Sequence, residues 1–464
     1  MKKSLLQIGL MAMLASTIFS CSKSSSSETV TVSTPPFQLG QAVSDASPLV
    51  GSIKGTMLTG KTYTVGGDIL INAGDTLLIQ PGVTINMGQS GYNFGVKGTL
   101  LSLGTKAQPI WITVAGITKT DLPGAPMNTD PAYKGMWCGI NCDSSCKLVV
   151  IKWTHIEFTG AVLTNSMITG NKPGSNSYGM FFQNPNTVFV MEDSWFYGAL
   201  DDCMRPNCKF SIMRNTFEKC GSPAIGGDII NVKSGGTGDA AYNLIVGAAT
   251  NGTKASNKGG TPVQTNCRFY NNTYVHCGYK QPAPVGRAGS WNFEEGAKGM
   301  AYNGLVINCR TGLRIVANPL ADTANISYGY NFNYGDSQAV YNWIYPPADL
   351  SYPQSTDIPA FTPAGYVKGQ AVPVYTYTGT VGANKPMFVN FPLPAQIVNK
   401  LIDIQAVGSF DFHLSSGSPC IGKGYTGFSP LAVVPVNPIY GATEITPPGI
   451  DCGAFQSNGT GNQH

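Results

Sequence analysis

From Thr64 the chain reads TVGGDILINAGDTLLIQPGVTINM, and shortly after it GVKGTLLSLGTKAQPIWIT. These are β-rich runs (Ile69 to Ile71, Leu77 to Ile79, Val83 to Ile85, Thr99 to Leu101, Ile110 to Thr113) broken by Gly, Asp, Asn and Pro at intervals of four to ten residues. No other feature limits the fold as much. The runs are too closely spaced for crossover helices, and a meander of hairpins would show two-residue turns between longer strands. A chain that coils, each turn contributing about three short strands, meets both limits.

Internal repetition supports the coil. The segments HIEFTGA from His155, SWFYGAL from Ser194, NTFEKCG from Asn215, NTYVHCG from Asn272, GLVINCR from Gly304 and NFNYGDS from Asn331 align. An aromatic or aliphatic residue recurs at the third position, with Glu157 and Asn333 as exceptions, and Cys220, Cys277 and Cys309 share the sixth. Asn207-Cys208-Lys209-Phe210 matches Asn266-Cys267-Arg268-Phe269 upstream. The starts lie 39, 21, 57, 32 and 27 residues apart, so a turn of about 21 residues is enlarged by inserted loops. Coils stacked at about 4.8 Å place like side chains above like. Inward aromatics then form a stacked core, and recurrent Asn residues serve buried turn backbone. The expected fold is all-β, a right-handed parallel β-helix.

Composition agrees. Charged residues make up 12% of the chain, where roughly 25% is usual. Gly (56) and Pro (31) are abundant, and no long Ala/Leu/Glu/Lys run offers a helix. Residues 1–20 run from Lys2 and Lys3 through an apolar stretch to small residues before Cys21, the pattern of a signal peptide. Without Lys2 and Lys3, 27 basic residues (29 less 2) face 25 acidic ones. A balance near +2 marks no nucleic-acid partner. Ile18-Phe19-Ser20-Cys21 resembles the lipobox of bacterial lipoproteins, which implies acylation of Cys21, contact with a membrane through that lipid alone, and residence at the cell outer membrane, facing the surface or the periplasm. Residues 21–47, rich in Ser, Thr and Pro, read as a flexible tether, 48–456 as the β-helix with a closing C-terminal coil, and 457–464 as a disordered tail.

The body resembles the right-handed parallel β-helix proteins of the pectin-lyase-like superfamily. The first coil (GDILINAGDTLLIQPGVTI) carries the likeness, as does a closing pattern in Pro386-Met387-Phe388-Val389-Asn390, Asp411-Phe412-His413-Leu414, Ser418-Pro419-Cys420-Ile421 and Asp451-Cys452-Gly453-Ala454-Phe455. The likeness covers Gly51 to Gln456 and speaks for architecture, because the fold carries lyases, hydrolases, esterases, adhesins and inert scaffolds. It implies a polysaccharide partner held in a groove on the coils, with a structural or adhesive spacer as the alternative. Cys420 and Cys452 stand where the closing motifs often carry Ala and an aliphatic residue, which suggests a disulfide between two closing strands.

Candidate site residues follow in two groups. Ala199-Leu200-Asp201-Asp202-Cys203 is similar to the Asp-Asp-Cys segment of polygalacturonase-type glycoside hydrolases, and Gly312-Leu313-Arg314-Ile315 to their Arg-Ile segment. The resemblance implies catalytic roles for Asp201, Asp202 and Arg314, with Arg205 nearby to hold a substrate carboxylate. The coil that follows reads Ser222-Pro223-Ala224-Ile225-Gly226-Gly227, without the family's Gly-His-Gly. The alternative is that the aspartates serve turn backbone. The loop near Gly278 to Gly296 and the residues after it carry Arg287, Trp291, Glu294, Glu295 and Lys298, which either line a sugar groove or pack the loop onto the coil. A lyase would draw its set of Lys or Arg base and charged partners from Arg205, Lys209, Arg214, Asp228, Lys233, Arg268, Arg310 and Arg314, and calcium, the one cofactor considered, would enter only with lyase chemistry. Cys138, Cys142 and Cys146 with His155 fit no zinc module, and a local disulfide beside Trp137 is the preferred reading.

Overall fold

The structure, a computed structural model, describes residues 37–119, 129–221, 226–278, 289–310, 312–316, 319–336, 385–391 and 410–463. These residues form a parallel β-helix in which ten coils are described. Each coil contributes one strand to each of three faces, taken here as B, A and C in the order the chain meets them. Face A is a ten-stranded parallel sheet, and faces B and C merge into nineteen strands because Thr62–Ile71 serves C with its first residues and B with its last. Among the described residues no helix is long and apolar enough to cross a membrane.

Alternation along each short strand puts one column inside. Ile156, Phe196, Phe217, Ile245, Tyr274 and Val306 stack in register on face C, all buried. The first repeat therefore aligns from Thr154 rather than His155, and Ile156 takes the place that had made Glu157 an exception. The 57-residue interval holds a further coil, Asn243 to Ala249, whose Leu-Ile-Val-Gly run lacks the aromatic signature.

At the turn from A to C a single non-glycine residue in each of the last seven coils takes left-handed backbone (Trp153, Asp193, Arg214, Tyr242, Asn271, Asn303, Tyr330). A polar ladder follows it. Asn215 N–H and Nδ2 both donate to Asn243 Oδ1 at 3.0 Å, and Asn243 N–H and Nδ2 donate to Asn272 Oδ1 at 2.9 and 3.0 Å. Their Nδ2 groups also reach the carbonyls of Met191, Ile212 and Ala240. Each amide thus satisfies turn groups that the coil buries.

The outward residues of two faces are covered by the C-terminal segment. On face C, Leu244, Val246, Val275, Leu305, Ile307 and Phe332 pack under Phe388, Phe391, Phe412 and Phe455 as a second core. On face A, Asp239 accepts the backbone N–H groups of Leu431 and Ala432, and Lys152 and Glu192 both bind Thr443. Residues 420–463 therefore lie lengthwise along the solenoid, where the sequence suggested a coil closing its end. Residues 457–463, read as a tail, return to the fold: Phe455 bridges Gly461, and buried Asn462 donates to the carbonyls of Asn215 and Tyr242.

The expected Cys420–Cys452 disulfide is absent. Both are free, buried thiols, and Cys452 Sγ donates to the Tyr330 carbonyl at 3.3 Å. Cys138, Cys142 and Cys146 are likewise free, so the disulfide expected beside Trp137 is not formed either. Cys138 Sγ is aimed at the Gly91 carbonyl, and burial pushes its thiol up to about 12, the value of an inert group. His155 sits outside face C, stacked between Trp111 and Trp195. Among the described residues no cluster of His, Cys, Asp or Glu is arranged to hold a metal ion.

Candidate functional site

Face B turns a row of polar and charged side chains outward. In register run Asn141, Phe181 and Arg205, and then Asn231, Lys254, Asn292 and Arg314; Met204 pairs with Ile230, which sets Arg205 beside Asn231. One step along the strands lie Lys233 and then Ser256 beside Glu294.

The turn from C to B supplies the carboxylates. Residues 200–203 lie between the strands Trp195–Ala199 and Met204–Pro206, and this bend lets adjacent Asp201 and Asp202 serve one site. Asp202 Oδ1 accepts the Asp228 N–H at 2.8 Å, and Asp228 Oδ1 accepts the Asn251 N–H and Nδ2 at 2.9 and 2.8 Å. These two aspartates thus repeat, one turn away, the ladder that Asn215 and Asn243 form. Their second oxygens have other partners. Asp202 Oδ2 receives Arg205 Nε at 2.6 Å and Asn231 Nδ2 at 2.8 Å. Asp228 Oδ2 lies 2.8 Å from Lys254 Nζ, which is 3.6 Å from Glu294 Oε1. A chain of charged groups results, spanning four coils, with the two carboxylates of Asp202 and Asp228 next to each other and a cation at either side.

Electrostatics divides the cluster. Against the cost of burial, Lys254 and hydrogen bonds from Thr250 and Asn251 hold the Asp228 carboxyl well below the usual carboxylate range. Burial also works against the charge of Lys254, but Asp228 and Glu294 outweigh it and raise its value. Two groups beside this floor behave oppositely. Burial, reinforced by the charge of Asp202, pushes the Asp201 carboxyl up to about 7. Burial, reinforced by the charge of Lys254, brings the Lys233 ammonium down to about 8. Asp201 Oδ1 accepts only the Asp202 N–H among the described contacts. Asp201 stands before the B strands and Lys233 just past their other end, so an acid and a base with values shifted toward neutrality flank this face, a pattern common at functional sites. Arg205, over the Tyr178 ring with its guanidinium carbon 3.8 Å from the ring centre, supplies a partly exposed cation beside Asp202.

The other expected residues are placed differently. Trp291 belongs to a strand, Gly289–Glu294, and points inward, fully buried against Tyr274 at 5.2 Å between ring centres; it cannot line a groove. Glu294 does join the charged face, whereas Glu295 sits at the next turn, where it receives the Ser256 hydroxyl and lies 3.9 Å from Lys258 Nζ. Arg314 lies on face B but four strands from Arg205, about 19 Å away. Arg287 and Cys21 lie outside the described residues. Lys254, which joins the two halves of the cluster, had no sequence signal of its own. Asp228 had one: it stands two residues before Ile230 as Asp202 stands two before Met204, 26 residues upstream.

Comparison with protein-family models, curated proteins and solved structures found no match to this chain.

Proposed function

We propose that the protein binds an acidic polysaccharide along face B and cleaves it by β-elimination. The observation that carries this reading is the use of aspartate at the C-to-B turn. Asparagine does the same backbone work at the A-to-C turn without charge, so Asp202 and Asp228 bury carboxylates that the fold does not need, with Arg205 and Lys254 to offset them. Asp201 and Lys233 beside them titrate near neutrality. In the reaction, neutral Lys233 takes the proton next to the uronate carboxylate, whose charge Arg205 faces. The bond to the leaving oxygen breaks as the carbon–carbon double bond forms, and protonated Asp201 delivers its proton to that oxygen. The resemblance to the pectin-lyase-like superfamily agrees with this substrate class. With Cys21 acylated, the protein would work as a cell-envelope lipoprotein at the outer membrane.

A spacer without chemistry is the second reading, favoured by one observation: Asp202 and Asp228 are both fully engaged within the protein. Incubation with a panel of uronate polysaccharides separates the two. The proposal expects the ultraviolet absorbance of unsaturated uronate ends from the wild type and none from Lys233→Met. A folded wild type that releases no product from any of them supports the spacer.

A further inference from the structure

A second site lies away from face B, at the A-to-C turn near the early coils. There a cavity of about 250 Å³ is lined by Trp153, His155, Trp195, Asp193, Lys106 and Gln463. We propose that it binds one neutral pyranose unit whose hydroxyls are equatorial, as in glucose-configured chains.

Three features carry the proposal. First, the aromatic wall is fixed before any ligand arrives. Trp111 and His155 stack at 3.7 Å and 6°, His155 and Trp195 at 5.5 Å and 12°, and Trp195 Nε1 donates to Glu218 Oε1. A rigid indole costs no ordering on binding, and its face suits the flat C–H face of an equatorial pyranose. Second, polar groups stand at the rim with capacity to spare. Asp193 is held by Arg214 Nε and Nη2 at 2.7 and 3.0 Å, so its charge is offset while its oxygens keep lone pairs for hydroxyls. Gln463 spends its Nε2 on Gly459 at 2.9 Å, which leaves Oε1 as an acceptor, and buried Asn462 anchors the segment that presents it. Third, the size selects a single ring: the volume falls below the about 300 Å³ at which sites for larger ligands begin. Asp193, the one carboxylate among the lining residues, accepts from the hydroxyls of an uncharged sugar but would face the like charge of a uronate, and Lys106 adds a donor for hydroxyls.

Calorimetric titration of the whole protein with cellobiose tests this. Trp153 has left-handed backbone (φ 47°), as do Asn271 and Asn303 at the equivalent turns of later coils, so Trp153→Asn removes the ring without straining the chain. Saturable binding by the wild type is expected, weakened about tenfold in Trp153→Asn at an unchanged melting temperature. Asp201→Asn on face B should bind cellobiose as the wild type does, which keeps this site separable from the cleavage reading. Should Trp153→Asn fail to fold, cellobiose must still slow N-bromosuccinimide oxidation of the wild-type tryptophans. No binding by the wild type, equal binding by a folded Trp153→Asn, or oxidation that cellobiose does not slow would overturn the proposal.

Discussion

Two turns of the same solenoid meet the same need with different side chains. At the A-to-C turn, Asn215, Asn243 and Asn272 hand backbone N–H groups from coil to coil through amide oxygens, and their Nδ2 groups close onto carbonyls. At the C-to-B turn, Asp202 and Asp228 accept the same kind of N–H but bring charge into the interior, and each needs a cation. The amide ladder is self-sufficient, while the carboxylate ladder depends on the face beside it. The first is how the fold is built, and the second is where the fold departs from its own cheapest solution. The faces follow the same division. A and C turn outward toward the C-terminal segment, which covers them, whereas the described bonds of that segment leave B alone.

Exchanging the two chemistries should break this comparison most severely. Asn243→Asp would set a buried carboxylate against the Ile212 carbonyl and Asn272 Oδ1 with no cation at hand, and should cost about 3–5 kcal/mol in chemical denaturation at neutral pH. A loss under 1 kcal/mol would show that the neutral ladder tolerates charge. Removing a cation from the other ladder comes next: Lys254→Met strands Asp228 and should cost about 3 kcal/mol.

The third change should stabilise. Asp201 has its pKa raised from 3.8 to about 7, so the stability of its neutral form is fully present below the lower value and lost as the pH rises through the upper one. Asp201→Asn, which keeps the acceptor for the Asp202 N–H, should therefore raise stability by about 1–3 kcal/mol at pH 8 and leave it nearly unchanged at pH 4. An equal effect at both pH values would count against a titrating Asp201. Smallest is the double change Asp228→Asn with Lys254→Met, which turns the charged ladder into the neutral one. Its melting temperature should shift by only about 1–2 °C, since a buried pair and its neutral replacement are often close in energy, and any activity should be lost.

The β-helix was legible because short strands, turn residues and a stacked third position all repeat in the sequence. What escaped had physical causes. The coil from Asn243 was hidden because Leu-Ile-Val-Gly fills the core without an aromatic ring. Trp291 was misplaced because Asn292, its neighbour on the strand, takes the outward position instead. The covering segment leaves no periodic trace, since its contacts, such as Lys152 with Thr443, join residues 291 apart. Asp201, Asp202 and Arg205 stood out in the sequence through the Asp-Asp-Cys likeness and do lie together, but Lys254 joins them only when register stacks the coils that carry Asp202, Asp228 and Lys254.

The most direct test is the pH dependence of product release from an acidic polysaccharide. The productive form requires Asp201 protonated, with its value near 7, and Lys233 neutral, with its value near 8. Activity should rise with pH as Lys233 loses its proton, peak near pH 7.5, and fall as Asp201 ionises, and in Asp201→Asn the residual rate should lose that alkaline fall. A wild-type profile whose alkaline limb persists unchanged in Asp201→Asn would contradict the assignment of face B as the place where protons move.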